Sequence, residues 1–259
     1  MRNTLSCAAL AFALLFTGCK TNKAAHEGTA VSSGSLPIST GKPPADAGKV
    51  MGTISFAGVA PPRVPIDMSM DPACAFSTQP NSSEQYIVHD GKLANVYVYV
   101  RSGATASVAS IGQKPVLLDQ KGCRYIPHVI ALQQGGTVEF RNSDATMHNI
   151  HTMPLNAGDQ VVNISEAPGS KPTIETFHAP TTMMPVGCNN HPWMQAFLNV
   201  SATPYFAVTG TDGKFTLDGL PPGKYVIGAV QEKLGEQDLT VTVPPHGTAE
   251  ANFTFAIHE

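Results

Sequence analysis

Cys188-Asn189-Asn190-His191-Pro192-Trp193-Met194 sets a thiol, an imidazole and a thioether at intervals of three residues. Pro192 prevents regular helix and the Asn pair favours a turn, so these three side chains can converge on one ion from a loop joining two strands. His148, forty residues upstream, offers a further imidazole from a neighbouring strand or loop. Thiolate and thioether select soft metals and imidazole accepts copper in either oxidation state. One Cys and two His in a plane with a long axial Met is an electron-transfer copper arrangement. Such a divided ligand set is held rigid by the fold, which lowers the reorganisation accompanying electron transfer, and this stretch therefore points to one mononuclear copper ion.

Taken singly, Cys188, His191 and Met194 with Trp193 would read as ordinary core residues. Together, beside an otherwise unpaired Cys in an exported chain, they read as a ligand set. The run lacks the second cysteine of a Cys-x-x-Cys-His site, so covalent haem is not expected.

Export is written at the start of the chain. Arg2 precedes the apolar run Ala8 to Phe16, too short for a bilayer span, and Thr17-Gly18-Cys19 closes a signal over 1–18. Phe16-Thr17-Gly18-Cys19 resembles a bacterial lipoprotein processing box, which makes Cys19 the acylated first residue of the mature chain, held to a membrane face. Residues 19–47 are rich in Thr, Asn, Ala, Gly, Ser and Pro and read as a lipidated flexible tether. A formal net charge of -3 leaves no basic surplus for a nucleic-acid backbone. Of five cysteines, Cys7 leaves with the signal and Cys19 is lipidated. Cys74 is then expected to pair with Cys123 in the oxidising compartment, with a second metal or a regulatory role as the alternative for these two, and Cys188 to stay a thiol because a bridge there would destroy the ligand.

With 23 Gly and 21 Pro, turns must be frequent, and the Val, Ile, Thr and Phe runs between them predict many short strands. Strands are expected at 52–56, 93–100, 116–118, 129–132, 137–142, 161–164, 173–177 and 197–200, with 93–100 central in its sheet. After Pro204 the spacing becomes regular, with strands at 205–208, 214–217, 225–230, 239–243 and 251–257. The expected fold class is all-β, with a copper domain over 48–201 and a second, small β-sandwich over 202–259.

Four segments carry a family resemblance: Asp90 to Val96, Asp119 to His128, Asn142 to Ile150, and Cys188 to Met194. They resemble the plastocyanin-like cupredoxins of bacteria, in particular the group related to the methylamine-utilisation cupredoxin. The resemblance implies a Greek-key β-sandwich and selects His148, followed by Asn149-Ile150, over His151 and His128 as the first ligand. It also implies that Asn149 braces the two ligand loops. The gap from His191 to Met194 is shorter than in typical plastocyanins, leaving Met183, Met184 and His151 as alternatives for the axial position. Gly213 to Tyr225 resembles a carboxypeptidase-regulatory or transthyretin-like module. In the adjoining Gln231-Glu232-Lys233-Leu234-Gly235, Gln231 stands where that family commonly has His, so no metal role is expected there.

The functional expectation is a membrane-tethered, periplasmic or exoplasmic carrier of single electrons between redox proteins, not an enzyme. Its ring edge at His191 would reach an apolar surface with Pro192 and Trp193 as the exchange face. The alternatives are a copper-binding or delivery protein, which the Met183-Met184 pair would also suit, and a non-catalytic carbohydrate- or protein-binding lipoprotein.

Overall fold

The computed structural model describes residues 43–75, 81–103 and 114–257; the signal, Cys19 and the tether as far as residue 42 lie outside them. The strands run in chain order from β1 (Gly48–Phe56), then a short helix α1 (Pro72–Ala75), β2 (Val88–His89), β3 (Lys92–Leu93) and β4 (Tyr97–Ser102). Next come β5 (Val116–Gln120), β6 (Tyr125–Ile126), β7 (Val129–Gln133), β8 (Thr137–Asn142), β9 (His148–Thr152), β10 (Asn163–Glu166), β11 (Thr173–Thr176), β12 (Thr181–Gly187) and β13 (Gln195–Ser201). The chain ends with β14 (Phe206–Val208), β15 (Lys214–Leu220), β16 (Gly223–Gln231), β17 (Gly235–Val243), β18 (Thr248–Glu250) and β19 (Phe253–Phe255).

Strands β5 to β13 make the sandwich that carries the Cys188 loop. One sheet has the order β10-β9-β12-β13-β7 and the other β11-β8-β5-β6. Alternating inward residues of both meet in one core, with Leu118, Val138 and Phe140 from one sheet against Ile150, Met184, Val186, Leu198 and Val200 from the other. Because side chains alternate along a strand, Thr137–Asn142 buries Val138, Phe140 and Asn142 and leaves the residues between them half-buried.

The second sandwich is not confined to the region after residue 201. β1 pairs antiparallel with β15 and parallel with β18 and β19, while β4 lies between β14 and β16 in the sheet β14-β4-β16-β17. Its core joins Val50, Ile54, Val96, Val98 and Val100 to Phe215, Leu217, Ile227, Val243 and Phe253. The sheets therefore cut across the expected division into 48–201 and 202–259. Strands from both ends of the described chain build one sandwich, and the strands of 116–201 are inserted between them. Gly52 records how tightly β1 is enclosed: a Cβ there would lie 1.7 Å from the Ala251 carbonyl oxygen. Strand β4 is interior to its sheet, as its near-continuous apolar sequence predicts.

A small apolar seam joins the sandwiches through Tyr97, Val129, Met183, Phe197 and Val230. Beside it His128 Nε2 lies 2.6 Å from Glu232 Oε1, both side chains buried. An arm leaves the terminal-strand sandwich after β1 and returns before β2. It is held to itself by Ser83 N donating to Val64 O (2.8 Å) and Ile66 N to Asn81 O (2.9 Å). The arm carries Asp71 and α1, and the Cys74–Cys123 disulfide fastens it to the inserted sandwich with Cα atoms 5.6 Å apart.

Candidate metal centre

Strand pairing brings the predicted ligands together. β12 and β13 form an antiparallel pair whose connecting loop is the Cys188 to Met194 stretch, and Gly187 of β12 lies opposite His151 of β9. The loop is therefore set beside the start of β9, where His148 stands. In this loop Met194 N donates to His191 O at 2.9 Å, the turn expected of a Pro-containing segment.

His148, Cys188 and His191 are all buried, and one donor atom from each lies within 4.8 Å of the others. The Nδ1 atoms of the two imidazoles are 3.0 Å apart, and Cys188 Sγ lies 3.6 Å from His191 Nδ1. The other nitrogen of each ring is held by a carboxylate: His148 Nε2 donates to Asp144 Oδ2 and His191 Nε2 to Asp71 Oδ2, both at 2.9 Å. Carboxylates on the outer nitrogens fix the ring orientations and turn Nδ1 inward, the supporting arrangement common around metal-bound histidines. Cys188 is the one unbridged cysteine among the described residues.

The site's charge distribution favours a thiolate. Burial pushes the Cys188 thiol up, but hydrogen bonds from His148, from the Asn190 and His191 amides and from the His191 ring outweigh it and bring it down to about 6. Burial pushes His148 down, yet bonding to Asp144 and to Cys188 raises it to about 9. The bond from His191 and that from the Ala73 amide lower Asp71. Asp144 is raised by burial but lowered overall by His148 and by the Cys123 and Gly122 amides. A soft thiolate with two imidazole nitrogens in a buried cluster fits copper by donor chemistry.

Met194 is buried immediately before β13, in the same apolar cluster as Cys188. Of the axial alternatives, Met184 belongs to the core of the inserted sandwich, Met183 to the seam, and His151 Nδ1 lies 2.9 Å from Asn189 Oδ1. His128 is occupied at the seam with Glu232. Asn149 accepts from Asn189 N at 3.1 Å and donates to Ile164 O at 2.8 Å and Asn163 Oδ1 at 2.9 Å, so it ties the ligand loop to β10. Tyr125 donates its hydroxyl to the Asn149 carbonyl.

The expected exchange face needs correcting. His191 is 3% exposed and its outer nitrogen faces Asp71, so its ring edge does not reach an apolar surface. Pro192 is exposed, but Trp193 is half-buried, with its ring 5.1 Å from that of His191 and its Nε1 donating to Cys123 O at 3.0 Å. On this side a cavity of about 650 Å³ is lined by Cys188, Pro192, Trp193, Met194, Arg124 and His128 among others. Asp71 and Asp144 were not singled out from the sequence. Their local signals are an Asp three residues before a bridged Cys and an Asp four residues before His148, and neither spacing is specific by itself.

No protein-family model matches the chain, and no curated protein sequence does. Solved structures similar to it include a copper-containing nitrite reductase from Thermus scotoductus SA-01, with 23% identity over 39% of this chain and a TM-score of 0.32. A copper(I) amicyanin variant has 19% identity over 40% of this chain and 98% of its own, with a TM-score of 0.31. A purple cupredoxin from Nitrosopumilus maritimus has 22% identity over 33% of this chain and 99% of its own, with a TM-score of 0.28. The chain spans about a quarter of the nitrite reductase, 25% of its length.

Proposed function

We propose that this chain is an exported, cupredoxin-like electron carrier. One copper ion would be held by His148, Cys188 and His191, with Met194 as a further thioether donor. The observation that carries this reading is the convergence of two imidazole Nδ1 atoms and one thiol in a buried site, each outer imidazole nitrogen held by a carboxylate. When bound, copper would supply a one-electron couple between Cu(II) and Cu(I). The protein's own share is to hold the donors still. Asp144 and Asp71 orient the rings, Asn149 fixes the loop through the Asn189 amide, and the Leu118 to Val200 core excludes water from beneath. Three protein donors gathered in one buried cluster, with Met194 in the same apolar core as Cys188, suit a carrier that would hold its ion in a fixed protein set. Copper delivery is disfavoured by burial, since Met183 and Met184, which would pass an ion along, are 8% and 0% exposed. Lipidation of Cys19 would tether the carrier to a periplasmic or exoplasmic membrane face, where redox proteins are its partners.

One equivalent of Cu(II) added to the protein lacking residues 1–19 should give an intense thiolate-to-copper band in the visible and a single mononuclear spin-resonance signal. Both should disappear in Cys188→Ser. A wild-type protein with no such band would overturn the reading, and rapid loss of Cu(I) to a chelator would shift it to copper delivery.

A further inference from the structure

The arm between β1 and β2 does more than cover the inserted sandwich. Asp71 accepts from His191 Nε2 (2.9 Å), from Thr146 Oγ1 (3.0 Å) and, through its other oxygen, from Ala73 N (2.8 Å) at the start of α1. Cys74 follows within the same short helix. Across the disulfide, Cys123 N and Gly122 N donate to Asp144 at 2.8 and 2.7 Å, and Asp144 in turn accepts from His148 Nε2. Trp193 Nε1 closes the same unit by donating to Cys123 O. The bridge therefore joins the segment that places one carboxylate to the turn that places the other. Met68, Ile66 and Trp193 pack around it, so the connection is buried as well as covalent.

We propose that Asp71 and Asp144 are positioning residues of the metal centre and that the Cys74–Cys123 disulfide couples them. On this view the terminal-strand sandwich finishes a site built in the inserted one. This inference rests on the metal-binding reading above, but part of its test needs no metal. A bridge that served stability alone would act through the unfolded chain, raising resistance to unfolding without altering how the imidazoles are held. A bridge that positions the carboxylates alters both.

The metal-free protein lacking residues 1–19, labelled with ¹⁵N, should show two imidazole Nε2–H resonances protected from solvent exchange. Asp71→Ala should remove protection at His191 and Asp144→Ala at His148, with the remaining spectrum retained. Copper affinity, measured by competition with a chelator, should fall about 10–100-fold in each variant, as for other residues that support metal-bound histidines. Asp71→Asn, which keeps an acceptor oxygen, should recover part of the loss. Joint replacement Cys74→Ser with Cys123→Ser should weaken affinity in the same direction. Adding Asp71→Ala to it should cost less than the product of the separate effects, because both act through one contact. The proposal is overturned if the Asp71→Ala and Asp144→Ala proteins keep both protected resonances or bind copper as tightly as wild type. These two variants retain the disulfide and decide the positioning role; the coupling is overturned if the double-serine protein keeps both protected resonances and wild-type copper affinity. Failure of the wild-type chain to bind copper would overturn the reading of the centre instead, while the resonances would still report whether the carboxylates hold the rings.

Discussion

Cys188 and His148 lie in one buried cluster, their donor atoms within 4.8 Å, and each shifts the other's titration in the absence of metal. Cys188 is lowered from 9.0 to about 6, so its contribution to stability is present above its unfolded value and is lost as pH falls through about 6. His148 is raised from 6.5 to about 9, so its contribution is complete below about 6.5 and is lost as pH rises through about 9. The metal-free protein should accordingly show thiolate absorbance with a midpoint of about 6, absent from Cys188→Ser. His148→Gln should move that midpoint upward, since the bond from His148 is the largest influence lowering the thiol. A midpoint near the ordinary thiol value in the wild type would mean that the pair is not formed. The cluster of Cys188 with His191 was legible because Cys, His and Met at close spacing are chemically unusual, and the structure brings His148 to it. The carboxylates behind them were not, because Asp is common in turns and only the fold brings Asp71 across 120 residues to His191.

At the scale of elements, period-two strands such as Thr137–Asn142 were legible to the residue, and Val116–Gln120 and Val129–Gln133 nearly so. Thr181–Gly187 was not, although it leads directly into the ligand loop. Its Met183-Met184-Pro185 run breaks alternation, and the structure shows the reason: the pairing with β13 is irregular between Thr181 and Met184, and Met183 has a φ of 50°. Asn199, fully buried on β13, holds this irregularity. Its Oδ1 accepts from Met183 N at 2.7 Å and its Nδ2 donates to Ile130 O at 3.1 Å, linking β12 and β7 through one side chain. Asn199→Ala strands both groups in the interior. It should therefore destabilise the fold by about 1–3 kcal/mol for a buried group left unpaired, measured by denaturant unfolding of the metal-free protein. A change within a few tenths of a kcal/mol would show that the irregular strand holds its shape without this residue.

The whole molecule is organised by pairings that local sequence cannot show. The regular strand spacing after Pro204 correctly announced strands, but it gave no sign that they complete sheets begun at Gly48 and Tyr97, since register between segments far apart in sequence leaves no periodic trace. The division by sheets makes a sharp prediction for a chain shortened to residues 48–201. β1 would lose β15, β18 and β19, and β4 would lose both β14 and β16. Val50, Ile54, Val98 and Val100 would then lose Phe215, Leu217, Ile227, Val243 and Phe253 from their shared core, and His128 would keep no Glu232 at the seam. Amides in 48–56 and 97–102 should exchange with solvent at unprotected rates in the shortened chain, while those of β8, β9, β12 and β13 retain protection if the inserted sandwich holds together. Because Asp71 rides on the arm that starts from β1, its hold on His191 should weaken in step. Full protection in both N-terminal segments would show that 48–201 folds as a unit of its own and that the terminal strands merely dock against it. Loss of protection confined to those segments would place the boundary where the sheets place it, around the inserted strands rather than after Ser201.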